Sequence, residues 1–159
     1  MKKQPLGQNF LIDESIAREI VRLAGVSSDR PVVEIGPGKG ILTGLLLEQA
    51  ESLTAIEIDT KLSLALNRRF GSNKNFRLIE ADALKYDYGT LGTGYQVVSN
   101  LPYYAATHIL KRLIHYRSHI TRKTVMLQKE VVDRLTAQPG TRDYGSLSVF
   151  MQFHCEVER

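Results

Sequence analysis

The amino-acid sequence predicts an α/β protein built on a mainly parallel sheet. Three observations carry the prediction. Short apolar runs alternate along the chain with stretches of helical periodicity, the pattern of βαβ units with right-handed crossovers. One of these runs ends at Ile35 and leads into three closely spaced glycines, Gly36, Gly38 and Gly40, before a helical pattern begins. The residues with the chemistry of ligand contacts, Gly36, Glu57, Asp82 and Asn100, all fall at the carboxyl ends of expected strands. That is where the crevice of an open parallel sheet lies.

In chain order, residues 2–13 read as irregular, broken by Pro5 and Gly7. Asp13 suits a helix N-cap, with Ile16, Ile20 and Leu23 on one face and Gly25 as the stop. A strand over 31–35 and a helix over 39–50 follow, the helix apolar at Ile41, Leu42, Leu45 and Leu46. Residues 53–58 read as the second strand, 60–70 as a helix ended by Gly71, and 76–79 as a third strand. Residues 80–94 read as a loop. A fourth strand over 95–99 leads into Asn100-Leu101-Pro102-Tyr103-Tyr104. The helix after it carries Ala106, Ile109, Leu110, Leu113 and Ile114 at helical spacing. A fifth strand is expected over 124–128, then a helix through Val131, Val132 and Leu135. A polar loop over 138–145, a last helix over 146–153 and a strand starting near Glu156 complete the pattern.

Composition bounds the function. A chain of 159 residues with 43% hydrophobic residues suits one folded domain. The net charge of +4 gives a mild preference for polyanions. A single cysteine, Cys155, excludes an internal disulfide framework and suits a reducing cytoplasm. No apolar run is long enough to span a bilayer, and the basic start lacks the apolar core of a signal peptide.

Each strand end has its own chemistry. The glycine turn lets a ligand approach bare backbone and allows dihedrals that a side chain would forbid. The helix after it turns free N–H groups and a positive dipole end toward the ligand. A dinucleotide fingerprint would read G-x-G-x-x-G. Here the third glycine comes one position early and Ile41 takes its slot, which disfavours a dehydrogenase. Glu57 follows about twenty positions later, where a carboxylate accepts ribose hydroxyls. This pair suits an adenosine-containing cofactor. Asp82 can accept from an adenine amino group, or can serve simply as a turn aspartate. Pro102 fixes its own backbone and biases Leu101 to an extended shape. The Asn100 side-chain carbonyl and the Leu101 backbone carbonyl can then face one amino group, with Tyr103 flat against a planar base.

The segments GQNFLID (7–13), EIGPGKG (34–40), EID (57–59), EADAL (80–84) and NLPYY (100–104) resemble the ribosomal RNA adenine N6-dimethyltransferases. The bacterial small-subunit (KsgA) type is the nearest in pattern. The antibiotic-resistance (Erm) type acting on large-subunit rRNA is second. The resemblance implies a Rossmann-like methyltransferase fold with S-adenosylmethionine as methyl donor. By position it implies cofactor contacts at Asn9, Leu11, Gly36, Gly38, Glu57, Ile58, Asp82, Ala83 and Asn100. The target amine and base would meet Asn100, Leu101, Pro102 and Tyr103. It implies small-subunit rRNA or an immature small subunit as partner, in the cytoplasm, with the protein a monomer. Family members continue past the position of Arg159 with further strands and a small helical domain. Residues 1–159 would then be the catalytic domain without its last strands.

Two other classes fit less well: a methyltransferase for another planar amine, and a ribosome-assembly or RNA-binding factor that keeps the fold without the chemistry. His115 and His119 are four apart on an expected helix, but no acidic residue completes a metal motif. No metal site is expected.

Overall fold

The structure is a computed structural model that describes residues 10–159. Its five strands are β1 (Pro31–Ile35), β2 (Ser52–Glu57), β3 (Phe76–Glu80), β4 (Tyr95–Asn100) and β5 (Ile120–Met126). They form one parallel sheet in the order β3-β2-β1-β4-β5. Six helices accompany them: α1 (Glu14–Ala24), α2 (Ile41–Leu47), α3 (Thr60–Phe70), α4 (Ala106–His115), α5 (Lys129–Leu135) and α6 (Ser146–His154). The chain builds outward from β1 through β2 and β3. It then returns to β1 and builds the other way through β4 and β5. The reversal lies between β1 and β4, the place in such sheets where ligands bind.

The central strands are buried on both faces, which explains their near-continuous apolar sequence. Val33, Ile35, Ile56 and Val97 face α4, whose Ala106, Ile109, Leu110, Leu113 and Ile114 are all buried. Val32, Leu53 and Val98 face the other way, toward Ala17, Ile20 and Val21 of α1 and Leu42, Leu45 and Leu46 of α2. The β1–β4 ladder pairs only Val32 with Gln96 and Val33 with Val97. Two residues on, the Ile35 N–H donates to the buried Ser99 hydroxyl (2.8 Å) instead of to backbone. The backbone ladder therefore gives out before the carboxyl ends of these two strands.

Several elements differ from expectation. The buried stripe of α1 is Ala17, Ile20, Val21 and Ala24, whereas Ile16 and Leu23 are 43% and 52% exposed. Two alanines allow close approach to α2, and the stripe turns toward them. Asp13 does cap α1, accepting from the N–H groups of Ser15 and Ile16. Helix α2 starts at Ile41 rather than 39 and stops at Leu47. Gly36, Gly38 and Gly40 have φ of +67°, +58° and +78°, outside the helical region. Strand β5 starts four residues early, at Ile120. Its first half is polar and partly exposed because the strand is an edge, so apolar patterning does not mark it. Residues 88–91, expected as loop, form a 3-10 turn capped by Asp87. No strand forms at Glu156 among the described residues.

Candidate active site

A cavity of about 240 Å³ opens at the carboxyl ends of β1, β2, β3 and β4. Gly36 and Gly38, Glu57 and Ile58, Asp82 and Ala83, and Asn100 and Pro102 all line it, with Leu11 from the segment before α1. Four strand ends thus converge on one space. Asn9 lies outside the described residues. Leu101 does not line the cavity; its side chain is buried in the core. Tyr103 is 41% exposed beside the cavity, and Tyr104 lines the wall instead. Phe10, Glu34, Lys39 and Leu84 are further lining residues that spacing did not single out.

The glycine turn is shaped by what packs on it. A side chain at Gly38 would begin 3.0 Å from the Phe10 ring, so Phe10 lies against bare backbone there. The Lys39 ammonium sits 5.1 Å from the same ring centroid, a cation–π distance. A side chain at Gly36 would meet Pro102 at 3.6 Å. The glycine turn after β1 and the Asn-Leu-Pro-Tyr turn after β4 therefore pack against each other. Pro102 leads into α4, its carbonyl accepting from the N–H groups of Ala105 and Ala106 (3.0 and 2.9 Å).

Glu57 is buried and braces the turn. Its Oε1 accepts from the N–H groups of Ile58 (2.9 Å) and Asp59 (3.0 Å), and Oε2 accepts from the Gly38 N–H (3.2 Å). A carboxylate offers about four acceptor sites. Three are taken, which leaves one strong hydrogen bond for a ligand hydroxyl rather than the pair expected. Asp82 takes the turn role in this structure and lines the cavity as well. Its Oδ1 accepts from the Leu84 N–H (2.9 Å), closing the turn. Oδ2 accepts nothing among the described residues.

Asn100 is the exceptional group of the cavity wall. Its side-chain oxygen is buried there and has no hydrogen-bond partner among the described residues. The Ser63 hydroxyl, in α3, is also buried without a partner among the described residues but does not line the cavity. An orphaned acceptor of this kind is destabilising and uncommon, and a ligand donor would satisfy it. Glu34, in β1, is 1% exposed and accepts a hydrogen bond from the Thr43 hydroxyl (2.7 Å). Burial pushes its pKa up to about 8, against the Thr43 hydrogen bond, and the Glu57 carboxylate adds to the rise. Burial also lifts the Tyr104 phenol, with Asp82 and Glu57 adding to it. With Glu34 holding its proton near neutrality, Glu57 and Asp82 are the two acidic groups set against Lys39 in the wall. That balance suits a ligand with positive charge.

Among the described residues no group of three His, Cys, Asp or Glu side chains is placed to hold a metal ion. His119 lies 2.8 Å from the Gly92 carbonyl through Nδ1 and packs edge-on to Tyr116.

Known proteins share this architecture. A ribosomal RNA small subunit methyltransferase A from Acidobacterium capsulatum is 48% identical over 99% of this chain and 56% of its own length. One from Geobacillus thermodenitrificans is 45% identical over 98% of this chain and 56% of its own. The chain therefore spans a little over half the length of these relatives. A dimethyladenosine transferase from Plasmodium falciparum superposes with a TM-score of 0.84 at 27% identity, covering 93% of this chain and 54% of that one. The 23S rRNA methyltransferase ErmE gives 0.70 at 28% identity, covering 79% and 50%. The model of the ribosomal RNA adenine dimethylases matches residues 1–159 from end to end, and the chain belongs to that family.

Proposed function

We propose that this chain is the catalytic domain of an S-adenosylmethionine-dependent enzyme that dimethylates the N6 amine of adenosines in small-subunit rRNA. The observation that carries the proposal is the buried, unpartnered Asn100 carbonyl in the wall of an acid-lined cavity. Bound S-adenosylmethionine supplies a methyl group already activated by a positive sulfonium. The residues present fit it. Gly36 and Gly38 line the space for its amino-acid end, and Glu57 has one acceptor site left for the ribose. Asp82 Oδ2 is available to the adenine amino group, with Ile58 and Ala83 beside the ring.

The target nitrogen is a poor nucleophile because its lone pair is delocalised into the purine. Two acceptors, the Asn100 side chain in the cavity wall and the backbone carbonyl of Leu101 next to it in the chain, draw its N–H groups out of the ring plane. The lone pair is then free to point at the methyl carbon. Alignment supplies much of the acceleration, and the same acceptors stabilise the positive charge that grows on nitrogen. Pro102 holds the two carbonyls in place. Tyr103 and Tyr104 are both exposed beside the cavity, and aromatic faces there suit a base taken out of its stack. RNA loops and ends provide such bases most readily. The names of the relatives favour the small ribosomal subunit over the large one. No helix among the described residues is long and apolar enough to cross a membrane. The protein acts as a monomer in the cytoplasm on immature small subunits, without a metal.

Transfer of labelled methyl groups to immature small subunits tests the proposal. Asn100→Ala lowers transfer by about a hundredfold or more, while S-adenosylhomocysteine still binds within a few-fold. Near-normal transfer by that variant would remove the role of Asn100. Transfer to large-subunit RNA alone would assign the substrate to the other branch of the family.

A further inference from the structure

Three polar side chains close to the cavity do not line it and have no part in the chemistry above: Tyr88, Tyr95 and Arg112. Tyr88 and Tyr95 are fully buried. The Tyr95 hydroxyl donates to the Tyr88 carbonyl (3.2 Å). The Tyr88 hydroxyl donates to the Ala83 carbonyl (3.0 Å). Arg112, on α4, donates from Nη2 to the carbonyls of Tyr86 (2.7 Å) and Lys85 (3.2 Å), and from Nε to Tyr86 (3.2 Å). Tyr88 and Arg112 therefore act on carbonyls of residues 83, 85 and 86. These belong to the turn that carries Asp82 and Ala83 into the cavity.

The link to Asp82 is a single peptide group. A peptide unit is planar and stiff, so the Ala83 carbonyl and the Leu84 N–H rotate together. Tyr88 holds the carbonyl edge, and the N–H edge donates to Asp82 Oδ1 (2.9 Å). The hydroxyl thereby sets the angle of the N–H that aims the carboxylate. We infer that Tyr88, assisted by Arg112, is a positioning residue that orients the Asp82 carboxylate through the 83–84 peptide. The inference rests on Asp82 receiving the adenine amino group of the cofactor. The Tyr88 ring is itself fixed, edge-on to Tyr86 (5.4 Å between centroids) and tilted on Tyr116 (5.5 Å). Burial holds the Tyr88 phenol above its ordinary pKa, opposed by the Arg112 charge, so the hydroxyl keeps the proton it donates. Tyr86 is the natural control. Its hydroxyl meets the Thr90 hydroxyl on the surface (3.0 Å) and none of these carbonyls.

Calorimetric titration with two probes tests the inference: S-adenosylhomocysteine, and S-inosylhomocysteine, in which an oxygen replaces the adenine amino group. The measured quantity is the ratio of the two affinities, which does not depend on how much of the chain is folded. Tyr88→Phe keeps the ring and removes the hydroxyl, and it lowers the preference for adenine by about fivefold. Arg112→Lys keeps the charge, loses the forked contact and lowers the preference in the same direction. Tyr86→Phe leaves it unchanged. Asp82→Ala removes most of it. An unchanged ratio in Tyr88→Phe and Arg112→Lys, with the ratio lost in Asp82→Ala, overturns the positioning role and spares the assignment of Asp82. An unchanged ratio in Asp82→Ala overturns that assignment and the inference with it. An equal fall in both affinities for Tyr88→Phe means that the hydroxyl only supports the fold, and also overturns the inference.

Discussion

Replacing Glu34 by glutamine should make the protein more stable at neutral pH, and the gain should grow with pH. Glu34 is held in β1 at 1% exposure, and burial raises its pKa from 4.5 to about 8. The sign follows from linkage. Below the unfolded value both states carry the proton, and the native state keeps all the stability this group allows. Above it the unfolded chain releases the proton while the native chain holds on, so stability falls by about 1.4 kcal/mol per pH unit. The fall ends once pH passes the folded value near 8. From the unfolded value to pH 7 the loss is about 3 kcal/mol as an order of magnitude. Glutamine has the shape of the protonated acid, its carbonyl can still accept from the Thr43 hydroxyl, and it does not titrate. Urea unfolding of both proteins between about pH 5 and about pH 8 measures the difference directly. The two stabilities should converge at the acid end and separate steadily toward neutrality. A difference that stays flat across that range would refute the reasoning, because Glu34 would then titrate alike in both states.

Two other substitutions follow from the geometry of the same strand ends. Ser99→Ala removes the acceptor of the buried Ile35 N–H and should cost about 1–3 kcal/mol. Faster hydrogen exchange at the Ile35 amide, beyond that of its β1 neighbours, would locate the loss. Gly40→Ala should be among the most damaging changes in the glycine turn, since φ there is +78° and the new carbon would sit 2.8 Å from both Leu66 and Phe70 of α3. The left-handed conformation alone costs about 1–2 kcal/mol. Gly36→Ala meets only Pro102 at an ordinary 3.6 Å, so thermal unfolding should rank Gly40→Ala well below Gly36→Ala.

What was legible in the sequence was local. The α4 stripe from Ala106 to Ile114 is buried as its spacing requires, because helical periodicity and burial there agree. The strand-end residues Gly36, Glu57, Asp82 and Asn100 share one cavity, because parallel topology places every strand's carboxyl end on the same edge of the sheet. What was not legible depends on partners far along the chain. Glu34 lies inside an apolar run and reads as strand. Only the fold shows that it faces Thr43 and Glu57 in a cavity wall. Tyr103 and Tyr104 are adjacent and chemically alike, and the turn into α4 decides which one lines the cavity. The expected α1 stripe holds at Ile20 but not at Ile16 and Leu23, because isoleucine and leucine outweigh alanine in any hydrophobic pattern. Close helix packing favours the alanines.

Ser99 and Asn100 are neighbours on β4, and their opposite roles separate the part of the molecule that holds the sheet from the part that waits for a ligand. The Ser99 hydroxyl is satisfied and closes the gap left where the β1–β4 ladder stops. The Asn100 oxygen is buried and satisfied by nothing among the described residues. Removing the first leaves a backbone donor unpaired. Removing the second relieves an unpaired acceptor. Asn100→Ala should therefore unfold at the same temperature as the natural protein or slightly higher, and Ser99→Ala several degrees lower. Glu34 adds a second cost to the same wall, since burial works against its charged form. A ligand that brings a positive charge and an N–H group compensates both. Defects that a ligand would cure, gathered on one wall, are what distinguishes a binding site from an ordinary cleft. If Asn100→Ala proved as destabilising as Ser99→Ala, the Asn100 oxygen would have a partner in the native protein, and the case for it as an acceptor of the target amine would fail.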